Sequence, residues 1–409
     1  MIVVHLSSAS FDSGAGIAAL NLHKSMLAKG IDSRLYTPHS VNESVSEAVF
    51  SYPNTRIKFI AKFNYWFDRF LIRLLGYRGS SPFSLLRRGK TWPDYSELQN
   101  ADIIHLHWVG NSFLNLRNLE GLNAKFAWTL RDWWPLTGGW HIPQEFEQHL
   151  ESRESFSLVP RFLFANLVSR EKIKKASFLR SSSKVKIIAQ SDFMRKDAER
   201  ALGFLPGSVS VIPSSINDEV YKYRKKKAAR DRLGLSPEVS VVAIGATNIN
   251  ESHKGLHMLS QIPKNSKLRQ SIFLVFGNGG VVLPEGIARR EFGFVSSESM
   301  MCDIYAASDI LLCPSLYESF GKVALESIAC GTPVIAFSGT GPAEIIERTG
   351  GGRVSLLKDA ASFFCEAEAQ LDLLTEEFRS SIAFNAHQEY SSERVVVEHV
   401  NLYSNLLLD

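Results

Sequence analysis

The 409-residue sequence predicts an α/β protein built from two parallel-sheet domains in tandem, and three features carry that prediction. The chain opens with strand, glycine turn and helix, followed at once by a second strand, which is a right-handed crossover unit. Apolar runs of strand length then alternate with helical stretches, as helix-covered parallel sheets require. A second series of the same kind starts near Val239, and 409 residues exceed what one core usually holds.

In order, Ile2–Leu6 is the first strand, Asp12 to Gly16 the turn, and Ile17, Leu20, Leu22 and Leu27 mark a helix ending at Gly30. Strands follow at Ser33–Thr37, Ile103–Leu106, Phe126–Leu130, Val185–Ala189 and Val209–Ile212. The second series reads Val239–Ile244, Ile272–Phe276, Ile310–Cys313 and Pro333–Phe337. Between them, from Ser191 to about Asp231, proline, serine and a basic run break the pattern. The tail, with Phe384, Val395–Val397 and Val400–Leu408, reads as one or two helices. No solenoid repeat or low-complexity tract is present. The domains expected are 1–205 together with a terminal helix 385–409, and 206–384.

Lys58–Leu75 stands apart from this rhythm. Phe59, Ile60, Phe63, Trp66, Phe67, Phe70, Leu71, Leu74 and Leu75 keep the three-four spacing of one helical face, while Lys58, Lys62, Arg69 and Arg73 fall elsewhere. Such a helix is roughly 25 Å long at 1.5 Å per residue. Arg78, Arg87, Arg88 and Lys90 follow, and Asp68 is the only acid from Arg56 to Lys90. A basic helix with aromatic residues suits an anionic membrane surface, so residues 56–90 are candidates for peripheral contact. The alternative is an ordinary amphipathic helix packed on its sheet with a solvated basic face.

Composition narrows the class. Hydrophobic residues at 45% and charged residues at 22% exclude a disordered or disulfide-scaffold protein. The first residues lack a basic stretch ahead of an apolar core, and no run of about 18 uncharged apolar residues occurs, so the expectation is a cytoplasmic protein. The four cysteines, Cys302, Cys313, Cys330 and Cys365, lack metal-site spacing and read as buried small side chains. Residues 1–190 carry 24 Lys and Arg against 15 Asp and Glu, whereas the remainder carry 22 against 27. All seven tryptophans lie between Trp66 and Trp140. The first domain should therefore face something anionic and the second a different partner.

The densest chemistry lies between Cys313 and Ala336. A strand ends near Cys313, a loop carries Glu318 to Gly321, and a helix from Lys322 to Cys330 closes at Gly331. Glu318 then sits at the strand's carboxyl end and Glu326 on the helix, near the crevice where open α/β sheets bind ligands. The free N–H groups at the helix start, with Ser319, Phe320 and Gly321 before it, suit an anion such as a pyrophosphate. Glu326 interrupts an apolar stretch, where an acid is costly unless a polar group meets it.

This segment resembles the nucleotide-sugar site of GT-B-fold glycosyltransferases of the retaining family 4 type, with Glu318 and Glu326 as its acidic pair followed by Ala329-Cys330-Gly331-Thr332-Pro333. Tyr305 to Asp309, Gly341 to Glu344, Gly277 to Gly279 and Gly293 to Val295 match the family's order. The resemblance implies two Rossmann-like domains facing a cleft, with the C-terminal helix crossing back to the first. It implies that Glu318 supports charge at the anomeric carbon and Glu326 holds ribose hydroxyls, while Ser319, Phe320, Gly321 and Lys322 border the diphosphate. Lys254, in a Lys-Gly pair, would neutralise the leaving diphosphate, aided by His253 because Asn248 replaces a common arginine. Gly14 and Gly16 resemble the glycine-rich first loop.

Segments 102–108 and 128–141 are similar to the branch that builds bacterial exopolysaccharide, colanic acid or O-antigen. There Arg131 takes the place of an active-site histidine, and Asp132 matches an aspartate. Glu318, Arg131 and Asp132 form the expected catalytic set, and His107, Trp108, Trp133 and His141 the expected acceptor contacts. The implied activity is metal-independent transfer of a hexose, with retention, from a nucleotide sugar to a glycan or polyprenyl-diphosphate-linked acceptor. No cofactor and no nucleic acid are expected, and the inner face of the plasma membrane is the expected place of work. The alternatives are a weakly active nucleotide-sugar-binding homologue, and a nucleotide-dependent oxidoreductase on tandem Rossmann domains with Asp32 as the ribose acid.

Overall fold

The computed structural model describes residues 1–40, 47–51, 55–74, 83–85, 98–111, 113–119, 121–143, 161–181 and 184–408. The chain divides into two compact units. The first comprises Met1–Gln190, Met194–Ile212 and Val396–Asp409, and the second comprises Ser191–Phe193 and Pro213–Val395.

The first unit holds a seven-stranded sheet. Its strands are β1 (Ile2–Leu6), β2 (Asp32–Tyr36), β3 (Val49–Phe50), β4 (Ile103–Leu106), β5 (Lys125–Leu130), β6 (Val185–Ala189) and β7 (Ser210–Val211). They lie in the order β3-β2-β1-β4-β5-β6-β7, and every pairing is parallel. All four residues of β4 are buried, as expected of a central strand covered on both faces. The helices are α1 (Gly14–Ala28), α2 (Thr55–Leu74), α3 (Arg161–Leu179) and α4 (Asp192–Leu202).

The second unit repeats the same winding. Strands β8 (Val241–Asn248), β9 (Ile272–Asn278), β10 (Arg289–Gly293), β11 (Ile310–Cys313), β12 (Val334–Phe337) and β13 (Gly352–Ser355) are ordered β10-β9-β8-β11-β12-β13, again all parallel. Its helices are α5 (Lys226–Leu233), α6 (Glu298–Ala307), α7 (Lys322–Ala329), α8 (Gly341–Thr349), α9 (Ala360–Leu371) and α10 (Glu376–Tyr390). A last helix, α11 (Ser392–Leu408), groups with the first unit from Val396 onward. Apolar side chains pack on both sides of the second sheet, Tyr305, Leu325 and Ile328 on one and Phe273, Phe337 and Phe363 on the other.

Each sheet therefore has the doubly wound order, in which the direction of winding across the sheet reverses beside the first strand. The reversal falls between β1 and β4 in one unit and between β8 and β11 in the other. Ligands of such sheets bind outside the strands' carboxyl ends at that point.

Three strands, β3, β10 and β13, were not expected from the sequence, and β8 starts two residues later than the apolar run suggested. Cys302 and Cys330 are buried as expected, but Cys313 is half-buried and Cys365 is exposed. Among the described residues no helix is long and apolar enough to cross a membrane.

Candidate functional site

In the second unit, a loop follows β8 and ends in a short 3-10 turn, Ser252–Lys254. A second loop follows β11 and ends at α7. These are the two loops that flank the reversal point, and they bring an ion pair together: Lys254 Nζ lies 2.5 Å from Glu318 Oε2. Burial alone disfavours the Lys254 ammonium, but Glu318 outweighs it and the amine titrates above its ordinary range. His253, beside them, is pushed down to about 4 by burial and by Lys254. It is neutral at pH 7, so the expected cationic help from His253 is corrected: only Lys254 of this pair carries charge.

Gly321 caps α7 with φ +97°, and a Cβ there would meet Pro342 Cγ at 2.5 Å, so glycine alone fits both the turn and the packing. The Gly341 N–H donates to the Glu318 carbonyl at 2.8 Å, which fixes the loop. Ser319 is buried. Phe320 is a core residue packed edge-on against Tyr390, with ring centroids 6.0 Å apart. With the ring buried, what the Phe320 segment offers a diphosphate is its backbone, together with the first N–H groups of α7.

Glu326 is 5% exposed and its two oxygens are separately engaged. Tyr305 donates to Oε2 at 3.0 Å, and Lys322, one turn earlier, lies 3.0 Å from Oε1. Burial and the carboxylate hold the Tyr305 phenol well above its usual range, so it stays a donor. The acid that looked costly inside an apolar helix is thus met by two polar groups of its own unit. The structure joins Lys254 to Glu318, and Lys322 to Glu326.

In the first unit, the glycine loop follows β1. Ser13 caps α1 by accepting from Gly16 N at 3.2 Å, and Gly16 packs so closely on the preceding loop that a Cβ would lie 2.0 Å from Ser10 O. Across the reversal point, His5 on β1 pairs with His105 on β4, and alternation puts His107 on the same face. Burial holds all three imidazoles well below the ordinary histidine value.

Arg131 fixes their protons. A guanidinium only donates, so its Nη2, 3.1 Å from His107 Nδ1, makes that nitrogen an acceptor. The His107 proton then resides on Nε2 and is donated to His5 Nδ1 at 3.0 Å. His105 is held by Thr129 at 2.7 Å and by Tyr403 of α11 at 2.6 Å. Burial pushes Arg131 down to about 10, still charged at neutral pH. The three histidines bring ring nitrogens within 4.8 Å of one another. A dication does not suit this group, because a guanidinium donates into it and both nitrogens of His105 and His107 are already paired.

Asp132 is a hub that the sequence did not reveal. Its Oδ2 accepts from Trp108 Nε1 at 2.7 Å and from His141 Nδ1 at 2.6 Å, and its Oδ1 accepts from the Trp134 N–H at 2.9 Å. His141 Nε2 meets Ser84 Oγ at 3.2 Å, a Ser-His-Asp string. Ser84 and His141 are each only 4% exposed, so the string orients rather than attacks. Trp133 is buried and donates to Asp197 at 2.9 Å. His107, Trp133 and His141, expected to contact an acceptor, are all buried within the first unit. Trp108, half-buried and stacked on His141 at 5.1 Å, is the one of that set with an accessible ring.

Two doubly wound units, each with polar groups at its reversal point, define a GT-B-type α/β architecture. Residues 13–220 match the family described as Glycosyltransferase Family 4, and residues 238–375 match Glycosyl transferases group 1. The chain belongs to glycosyltransferase family 4. Among curated relatives, D-inositol 3-phosphate glycosyltransferase 2 of Catenulispora acidiphila is 29% identical over 37% of this chain and 39% of its own length. The chain thus matches about two-fifths of that relative. Among solved structures, sucrose-phosphate synthase of Thermosynechococcus elongatus aligns with TM-score 0.64, 16% identity and 99% coverage of both chains. HepE of Anabaena in complex with UDP-glucose aligns with TM-score 0.63 and 15% identity over 99% of this chain and 100% of that one. These structures share the fold. Family membership removes the oxidoreductase alternative.

Proposed function

We propose that this protein transfers a sugar from a nucleoside-diphosphate sugar, held by the second unit, to an acceptor held by the first. The observation that carries this reading is the Lys254–Glu318 pair at the reversal point, beside the N-terminus of α7. A cation and free N–H groups answer a diphosphate, and a carboxylate answers positive charge developing at an anomeric carbon. In the reaction, the bond from the anomeric carbon to the diphosphate oxygen breaks and a bond to an acceptor oxygen forms. The acceptor's proton passes to the departing phosphate, with retention and without a metal. Ser319, Gly321 and Lys322 take the diphosphate side and Glu326 the ribose side of the donor. The UDP-glucose bound by HepE and the phosphorylated polyol named for the Catenulispora relative support a nucleotide-sugar donor and an anionic acceptor.

The acceptor is a glycan or a polyprenyl-diphosphate-linked sugar of bacterial surface polysaccharide synthesis, met at the inner face of the plasma membrane. Arg131 and Trp108 are the first-unit side chains best suited to its phosphate and its sugar rings. The test is thermal stabilisation of the wild type, Lys254→Met and Glu318→Gln by a panel of nucleoside diphosphates, nucleotide sugars and NAD(P). One diphosphate and its sugar should raise the wild-type midpoint and raise that of Lys254→Met by clearly less. Stabilisation by NAD(P) alone would overturn the reading.

A further inference from the structure

Helix α2 turns an unexpected side outward. The residues that face the body of the unit are Asn64, Asp68 and Ile72, each no more than 9% exposed. Phe59, Phe63, Trp66, Phe70 and Leu74 are instead 68%, 57%, 61%, 62% and 47% exposed. At 100° per residue these five lie within an arc of about 80°, a single stripe along the helix. The helix forms as its spacing predicts, but the packed-on-sheet alternative fails for this face: the aromatic residues were the outer surface.

Helix α3 continues that surface. Ile72 and the adjoining Leu71 of α2 share one apolar cluster with Phe164, Val168 and Leu167 of α3 and with Phe83, Leu85 and Trp140, so the two helices are anchored on the same core. On α3, Phe162 and Ile173 are 65% and 63% exposed. Around the apolar residues stand Lys58, Lys62, Arg69 and Arg73 on α2 and Arg170, Lys172 and Lys174 on α3, all exposed. The two helices contain two acids, Asp68 and Glu171, and both are buried. Outward, the described side chains of this pair offer cations and large apolar groups and no carboxylate.

We propose that α2 and α3 together dock on an anionic phospholipid bilayer, with the aromatic stripe in the headgroup boundary and the lysines and arginines against lipid phosphates. Aromatic rings favour that boundary, and cations beside them gain from a negative leaflet. A second copy of this chain is a poor occupant, because it would set like-charged surfaces face to face. The inference deepens the membrane setting proposed for the acceptor and rests on it only in that respect, since docking needs no donor.

The test is flotation of the full chain with vesicles of phosphatidylcholine alone or mixed with phosphatidylglycerol, at low and high salt. Binding is expected to the mixed vesicles, weakening with salt. The double variant Trp66→Ser/Phe70→Ser should lose at least about tenfold in binding. Lys62→Glu/Arg69→Glu should lose at least about fivefold for each cation. All replaced side chains point outward, and an unchanged thermal midpoint confirms that each variant folds. Stabilisation by a nucleoside diphosphate should be unchanged in both variants, which separates this inference from the transferase reading. Equal binding to both vesicle types, no binding, wild-type binding by the variants, or a dimer that the aromatic variants abolish would each overturn it.

Discussion

Glu318→Gln should separate binding from turnover. Glu318 is the partner of Lys254 at 2.5 Å, a Coulomb attraction of at most about 7 kcal/mol at an effective dielectric near 20. Most of that is offset by desolvation, because burial opposes the Lys254 ammonium. A diphosphate arriving at Lys254 must compete with this carboxylate and is repelled by it. Replacing the carboxylate by an amide of the same shape removes both effects. A net gain of about 1.4 kcal/mol corresponds to about tenfold tighter binding of the diphosphate, read by calorimetry. Turnover should fall at least about 100-fold, because the amide offers no charge to a developing cation. Lys254→Met should weaken the same binding by about tenfold or more, and the double variant should report coupling between the two positions. Weaker diphosphate binding by Glu318→Gln would refute this account of the pair.

Three further outcomes follow from burial. Glu326→Ala strands the Tyr305 hydroxyl and Lys322, so it should cost about 2–4 kcal/mol in denaturant unfolding whatever it does to the donor, whereas Tyr305→Phe should cost about 1 kcal/mol. Lys175 is buried under Trp134 and burial pushes it down to about 7. Between about pH 7 and 10.4 the unfolded chain holds a proton that the native amine has released, so native stability rises with pH there. From pH 7 to 9 the wild type should gain about 2 kcal/mol relative to Lys175→Met, measured by urea unfolding; a flat difference would refute the shift. Gly16→Ala should destabilise the first unit by at least about 1 kcal/mol through the clash with Ser10 O, seen as a lowered melting temperature.

What the sequence disclosed was whatever depends on a run of like residues. β1, β4, β6 and β11 fall where the apolar runs do, because central parallel strands are buried on both faces. β3, β10 and β13 escaped because each is the edge of its sheet in this order, where one side needs no apolar cover. β10 reads Arg-Arg-Glu-Phe-Gly and is largely exposed. The α7 turn was legible since glycine, a loop acid and an apolar helix occur in a row. Partnerships across the chain were not legible. Asp132 joins Trp108, 24 residues before it, to His141, nine after it, and nothing local marks that meeting. The aromatic face of α2 was visible as a periodicity, but periodicity gives a stripe without saying which way it looks. Asp68 and Asn64, buried on the other side, decided that.

Arg131 bears on where the acceptor proton goes. With a guanidinium on Nδ1 and His5 on Nε2, His107 has no lone pair left to receive a proton. His141 is filled in the same way, giving its Nδ1 proton to Asp132 and using Nε2 on Ser84. Arg131 itself stays charged at neutral pH even with its value down to about 10. Asp132 already accepts three N–H groups, which keeps its oxygens occupied. The polar groups gathered at the carboxyl ends of β4 and β5 are thus arranged to hold one another still, and none is poised as a base. The proposed transfer to a hydroxyl therefore needs a base outside this set, which is why the proposal gives that role to the departing phosphate.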